Sequence, residues 1–171
     1  MIIVITGPES CGKTQLADEL SAELSLPVIH ENARTYIQSI ESNPHYKPSD
    51  LVELLKLQLI LEEGADNRIL DTDLLTLIIW WREKYGPVPA IFQAAMRSQS
   101  PRHYLLCAPD IAWQPDPLRE NPSDRERLFE LYQHELELRN LPFDVVCGIG
   151  QSRLDCALTV LEKGLSRRAA R

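Results

Sequence analysis

The chain predicts an α/β fold: a five-stranded parallel sheet with helices on both faces, three layers in all. Two observations carry this. Five short apolar runs alternate with helical periodicities along the sequence, and such alternation builds a parallel sheet covered on both sides. The first run and the first helix are joined by Gly7-Pro8-Glu9-Ser10-Cys11-Gly12-Lys13-Thr14. That segment fits G-x-x-x-x-G-K-[ST] at every fixed position, in the strand–loop–helix setting where the pattern has mechanical meaning, the phosphate-binding loop of a P-loop NTPase.

Ile2-Ile3-Val4-Ile5 reads as a buried strand, and Leu16, Ala17, Leu20 and Leu24 recur at helical spacing after the loop. Val28-Ile29-His30, set off by Pro27, gives a second strand, and a helix follows from Ala33 to about Ser39. Asn43 to Pro48 is a loop; Ser49 is then placed to cap a Leu-rich helix that Gly64 ends. Arg68-Ile69-Leu70 is a third strand running into Asp71-Thr72-Asp73. Helices over about Leu74–Tyr85 and Ala90–Arg97 precede a fourth strand, His103–Cys107. Ala108 to Pro122 is Pro-rich and aperiodic, a long loop. Ser123-Asp124-Arg125-Glu126 reads as a capping box starting a helix to about Arg139. Phe143–Cys147 is the fifth strand, and a last helix covers about Ser152–Lys163.

With 171 residues the chain is long enough for one domain with a real core. We read residues 1–171 as a single P-loop domain with a lid over about 109–127. The formal net charge of -7 argues against a nucleic-acid partner, whose backbone demands a basic face. No run of 18 apolar residues exists, so no membrane span is expected, and no signal peptide is expected before the first strand. Cys11, Cys107, Cys147 and Cys156 show no C-x-x-C spacing, so reduced thiols in a cytoplasmic protein are the simpler reading than zinc. Cys11 stands beside a helix N-terminus, which lowers a thiol pKa. The basic tail Ser166–Arg171 reads as a solvated helix end.

Ligands of such sheets bind beyond the C-terminal strand ends. In the first of those loops, Gly7 and Gly12 free the backbone so that successive N–H groups can cradle phosphates at the helix N-terminus. Lys13 would reach the β- and γ-phosphates, and the Thr14 hydroxyl would ligate Mg²⁺. Glu9, Ser10, Cys11 and Gln15 complete the nucleotide-binding set. A purine nucleoside triphosphate is the default ligand, and the lack of a guanine-reading N/T-K-x-D segment favours ATP.

The other loops describe an acceptor side. Glu31 follows the second strand, where it would serve as base or ligand for a substrate hydroxyl, or as a partner for Arg34. Arg34 and Tyr36 lie on the next helical turn, where Arg34 would hold a substrate anion or hydroxyl. Asp71 ends an apolar strand, the place of the acid that holds Mg²⁺, and Asp73 would face the acceptor sugar or the metal. Both could instead cap the following helix. Trp80 and Trp81 are adjacent on a helix, so both cannot face the core, and Trp80 is a candidate wall for a flat ring. Trp113, in a Pro-rich loop, needs something to pack on, the ligand included. Arg119 and Arg125 are candidate lid arginines that would stabilise charge spreading on the transferring phosphoryl group; Arg127 reads as solvent-facing. Gly148, Gly150 and Arg153, after the fifth strand, are placed to border an adenine.

Together these residues resemble the ribosylnicotinamide kinase domain of the NadR-type NAD-biosynthesis regulators. The likeness runs through Gly7–Thr14, Glu31-Asn32-Ala33-Arg34-Thr35-Tyr36, Leu70-Asp71-Thr72-Asp73, Pro109-Asp110-Ile111-Ala112-Trp113 and Asp116-Pro117-Leu118-Arg119 with Arg125. The resemblance implies sheet order 2-3-1-4-5 and transfer of phosphate from ATP to nicotinamide riboside. It puts Glu31 and Asp73 on the ribose, Asp71 on Mg²⁺, and Arg119 and Arg125 on the phosphates. The adenylyltransferase and DNA-binding parts of bifunctional members have no room here, so a stand-alone kinase domain is expected. A regulatory ATP- or GTP-binding module and a kinase for another nucleoside or cofactor precursor are the competing readings. Oligomeric state is not legible.

Overall fold

Ile2–Thr6 (β1) is the middle strand of the sheet and is buried along its whole length. In this computed structural model the described residues are 1–39, 46–64, 67–116, 119 and 121–169. Helix α1 (Lys13–Leu24) follows the glycine loop, then β2 (Val28–Ile29), α2 (Ala33–Ser39), α3 (Pro48–Leu61), β3 (Arg68–Asp71), α4 (Leu74–Tyr85) and α5 (Ala90–Ser98). The chain continues through β4 (Arg102–Cys107), α6 (Arg125–Leu138), β5 (Phe143–Val146) and α7 (Gln151–Ala169). All pairings are parallel and the order is β2-β3-β1-β4-β5, as the resemblance implies.

Strand alternation divides the core in two. Val4, Leu70, Tyr104 and Leu106 face one side, packing with Leu54, Leu74, Ile78, Phe92 and Leu136 from α3, α4, α5 and α6. Ile3, Ile5, Ile69 and Leu105 face the other, against Leu16 and Leu20 of α1 and Leu154 and Ala157 of α7. Strands buried on both faces read as continuous apolar runs, which is why β1 shows no alternation of polarity. No helix among the described residues is long and apolar enough to cross a membrane.

Several boundaries differ from the sequence reading. Helix α3 starts at Pro48, not behind Ser49, because Pro suits the first helical turn and Asp50 Oδ2 accepts from Lys47 N at 2.6 Å. It ends at Leu61, short of Gly64. The capping box at Ser123 does not form: Asp124 is the N-cap of α6, without a side-chain cap bond, and its Oδ2 accepts from Arg127 Nε at 2.8 Å. Helix α7 runs past Lys163 to Ala169. The expected loop over Asn43–His45, Pro117, Leu118 and the final residues Ala170 and Arg171 fall outside the described residues.

Candidate functional site

Beyond the C-terminal strand ends lies a cleft of about 510 Å³, with a second pocket of about 10 Å³ lined by Glu31, Thr72 and Asp73. The loop Gly7–Thr14 forms one wall of the large cleft. Gly7 sits at φ 134°, and a Cβ there would stand 2.8 Å from the Cys107 carbonyl oxygen. Gly12 sits at φ 73°, where a Cβ would meet Ile111 Cδ1 at 2.8 Å. Gly7 therefore requires glycine for both backbone angle and space, and Gly12 for its backbone angle. Lys13 Nζ donates to the Gly7 and Pro8 carbonyls at 3.0 and 2.7 Å, so its ammonium is already held over the loop. Burial alone would lower its pKa, but Cys11, Tyr132, Glu31 and Asp71 outweigh this and hold it above the usual range.

Thr14 Oγ1 donates to Asp71 Oδ2 at 2.6 Å, joining the start of α1 to the end of β3. Asp71 is 2% exposed, and its Oδ1 accepts no hydrogen bond among the described residues. Burial pushes this carboxyl above the usual range, against the Thr14 hydrogen bond and the Lys13 charge. A buried carboxylate oxygen without a donor, beside a hydroxyl, fits a hard divalent cation such as Mg²⁺. Thr72, next in the chain, is at φ 70°, an uncommon conformation for a β-branched residue.

Asp73 takes the capping alternative of the sequence reading, not the sugar-facing one. It is the N-cap of α4: Oδ1 accepts from Leu75 N at 3.0 Å, and Oδ2 from Tyr104 OH at 2.8 Å and Arg102 Nη1 at 3.1 Å. Arg102 also pairs with Glu62 at 2.9 Å. Both Asp73 oxygens are committed inside the protein, and the side chain does not line the large cleft. Its work is to fix where α4 starts. That start sends Thr76, Ile79, Trp80 and Glu83, one face of the helix, into the cleft.

Glu31, Tyr46 and Lys84 line the cleft together with that face. Trp80 and Tyr46 stack with centroids 5.8 Å apart and planes 25° apart. Lys84 Nζ sits 3.9 Å from the Tyr46 ring centroid. Trp81 turns away, donating to the Pro87 carbonyl at 3.1 Å and packing on Tyr85 and Phe92. Tyr132 of α6 closes the floor, its hydroxyl pushed up to about 12 by burial. Tyr36 packs on the core cluster outside the cleft. The side chain of Arg34 is outside the described residues.

The segment after β4 lies down on the P-loop. Gln114 N donates to Ser10 Oγ at 3.0 Å, and Asn121 N donates to the Glu9 carboxylate. Arg119 Nη1 reaches Ser10 Oγ at 3.4 Å and lines the cleft. Arg125 Nη1 donates to the carbonyls of Ser10 at 3.0 Å and Ile111 at 2.8 Å, and its guanidinium lies 5.8 Å from the Trp113 ring centroid. Trp113 thus packs on Arg125 rather than in the cleft. Arg127 pairs with Glu83 and Asp124.

Arg153 also departs from its expected place. It is 3% exposed, and its guanidinium donates to the carbonyls of Gly148 at 2.7 Å, Cys11 at 2.8 Å and Ala108 at 3.1 Å, and to Asp110. It braces the P-loop from behind instead of lining the cleft. The backbone of the loop between β5 and α7 is occupied too: Gly148 N donates to Asp110 Oδ2 at 2.6 Å and Ile149 N to Ser152 Oγ at 3.0 Å. Cys11 is fully buried; burial raises its thiol, but the Cys107 side chain with Lys13, Arg153 and Arg125 brings it down to about 6.

Sequence reasoning missed Tyr46, Thr76, Ile79, Glu83, Lys84 and Tyr132. Helical spacing from Trp80 would have found Thr76, Glu83 and Lys84, and Ile79 follows at three from Thr76. Nothing local marks Tyr46 or Tyr132, which arrive from other elements.

The fold and cleft define a kinase-like P-loop nucleotide-binding domain. The chain belongs to the AAA domain family AAA_28, whose model matches residues 2–153. It is similar to the solved NadR protein in complex with NAD and AMP-PNP, at 16% identity and a TM-score of 0.73, over 95% of this chain and 48% of that one. NadR in complex with NR gives 15% identity and the same TM-score, over 95% and 50%. Deoxyadenosine kinase from M. mycoides, with dCMP and dCDP bound, gives 15% identity and a TM-score of 0.69 over 95% of this chain and 99% of that one. This chain therefore spans about half the length of NadR and nearly all of the deoxyadenosine kinase. No curated protein matches the sequence.

Proposed function

We propose that this chain is a kinase that moves the γ-phosphoryl group of ATP to a hydroxyl of a ribosyl compound, nicotinamide riboside foremost. The observation that carries this reading is a cleft of about 510 Å³ lined by the P-loop together with Glu31 and the stacked Trp80 and Tyr46. A nucleotide-binding switch has no need of an acceptor wall. The domain would span residues 1–171, with the segment 109–127 as its lid.

In this reading the P-loop amides and Lys13 hold the donor phosphates. Lys13 would exchange two neutral carbonyls for phosphate oxygens, and charge-assisted bonds are roughly twice as strong as neutral ones. Thr14 and Asp71 would hold Mg²⁺, which when bound offsets charge on the β- and γ-phosphates. Glu31 would orient the acceptor hydroxyl and take its proton. Arg119 and Arg125 would leave Ser10 for the phosphoryl oxygens, and the lid would exclude water. Asp73 and Arg153 act by positioning, through α4 and the P-loop.

Nicotinamide riboside is favoured by shape. Its ring is flat, and the wall offers the Trp80 and Tyr46 rings with the Glu31 carboxylate in the same cleft, while Lys84 lies over Tyr46 and Glu83 is paired with Arg127. NadR, the similar structure described above, is solved in complex with NR. A second reading, a deoxynucleoside acceptor, is supported by the likeness to deoxyadenosine kinase over nearly its full length. The test is a panel of nucleosides with Mg-ATP, scored as kcat/KM for the monophosphate by mass spectrometry. The proposal expects nicotinamide riboside to lead. A deoxynucleoside ahead of it selects the second reading, and no monophosphate from any acceptor overturns both.

A further inference from the structure

The two cysteines at the exit of β5 have no part in the chemistry above. Cys147 directly follows β5 and is exposed; Cys156 lies on α7 and is half-buried. Their Sγ atoms are 3.9 Å apart. The other two cysteines, Cys11 and Cys107, are fully buried in the P-loop face of the core. Only the first pair combines mutual approach with access for a reagent. A disulfide needs an S–S distance of about 2.05 Å, so the pair must close by roughly 1.9 Å. Cys147 stands beside Gly148, whose φ of 97° marks a tight turn, and rotation of its exposed side chain can supply much of that movement.

We infer that Cys147 and Cys156 form a reversible disulfide site, oxidised by a low-molecular-weight disulfide such as oxidised glutathione. The exposed Cys147 thiolate attacks one sulfur of the reagent, whose S–S bond breaks and releases one thiolate. The Cys156 thiolate then attacks Cys147 Sγ and expels the second. Two thiol protons and two electrons pass to the two leaving thiols, and one S–S bond replaces another. The ring so closed contains Arg153 of α7, which donates to the Cys11 carbonyl of the P-loop, and Gly148, whose carbonyl accepts from the same guanidinium. Oxidation would therefore pin the loop that braces the nucleotide site. In cytosolic proteins disulfides of this kind are transient and redox-sensing.

The sequence makes the test clean. Arg153 lies between the two cysteines, so trypsin separates them into peptides 140–153 and 154–163. After treatment of the full chain with oxidised glutathione, we expect a product two hydrogens lighter and a non-reduced conjugate of those two peptides, both reversed by dithiothreitol. The melting temperature should rise by about 5 °C, the entropic effect of closing a short loop in a domain of this size. Amide exchange over 148–153 should slow. Cys147→Ser should abolish the conjugate, and Cys156→Ser should leave Cys147 carrying a glutathione adduct. Free thiols after treatment, a conjugate joining Cys11 to Cys107, or a mixed adduct on wild-type Cys147 that never resolves would each overturn the inference. Neither variant touches the cleft, so basal nucleotide binding is expected unchanged.

Discussion

Replacing Arg153 by Ala separates a brace from a ligand contact. The guanidinium is 3% exposed and donates to three carbonyls, those of Gly148, Cys11 and Ala108, and to Asp110. A buried acceptor left without its donor costs about 1–3 kcal/mol. Water can reach part of the vacated space, and Asp110, about a third exposed, adds little. The net loss should be about 3–5 kcal/mol, within the range for breaking a buried charged network. With a urea m-value of about 2 kcal/mol/M, the unfolding midpoint should fall by roughly 2 M. Nucleotide affinity should fall with it, because the Cys11 carbonyl loses its anchor. Arg153→Lys should recover only part of this, since one ammonium cannot serve four divergent acceptors. The assay is urea denaturation with and without ATP. A variant whose midpoint stays within about 0.5 M of wild type but which has lost nucleotide binding would refute the brace and return Arg153 to direct contact with the ligand.

Asp73→Ala should cost about 3–5 kcal/mol, measured by thermal or urea unfolding, because it removes the α4 cap and one of the two carboxylates that pair with Arg102; a stable variant with a raised acceptor KM would point instead to substrate contact. Asp71→Asn should raise the melting temperature of the ligand-free protein, since burial already disfavours the charged carboxylate, and should abolish the Mg²⁺-dependent stabilisation by ATP; calorimetry with and without Mg²⁺ reads both. Cys11 has a folded pKa of about 6 against an ordinary 9.0. Its contribution to stability is then full above about pH 9 and lost as pH falls through about 6, so the melting-temperature difference between wild type and Cys11→Ser should grow from pH 6 to pH 9, and a flat difference would contradict it.

The parts of the molecule that were legible in the sequence are those written by local chemistry. A continuous apolar run, two obligatory glycines and a helical period specify β1, the loop and α1 together. Alternation gave a parallel sheet but says nothing about strand order, which came only from the family resemblance. Asp73 was ambiguous because a helix cap and a sugar ligand ask for the same residue at the same place. What decides it is Arg102 and Tyr104, 29 and 31 residues further on, whose side chains converge only in three dimensions. Arg153 misled for a similar reason: a charged residue after a glycine turn at a strand end reads as ligand-facing, and nothing local reveals four acceptors gathered from three separate loops. Trp80 and Trp81 show the limit of spacing arguments. Adjacency said that they diverge, but the partners Tyr46 and Phe92 determine which one meets the cleft.

The central claim is that donor and acceptor share one cleft, so that the phosphoryl group passes between them without going to water. It is tested most directly by following the label from γ-labelled ATP in the presence of Mg²⁺ and nicotinamide riboside. The account predicts label in the nucleoside monophosphate, at one equivalent per ADP formed, with loss of that transfer in Lys13→Ala. Label appearing only in inorganic phosphate, or ATP bound tightly with no label moved to any ribosyl acceptor, would contradict it.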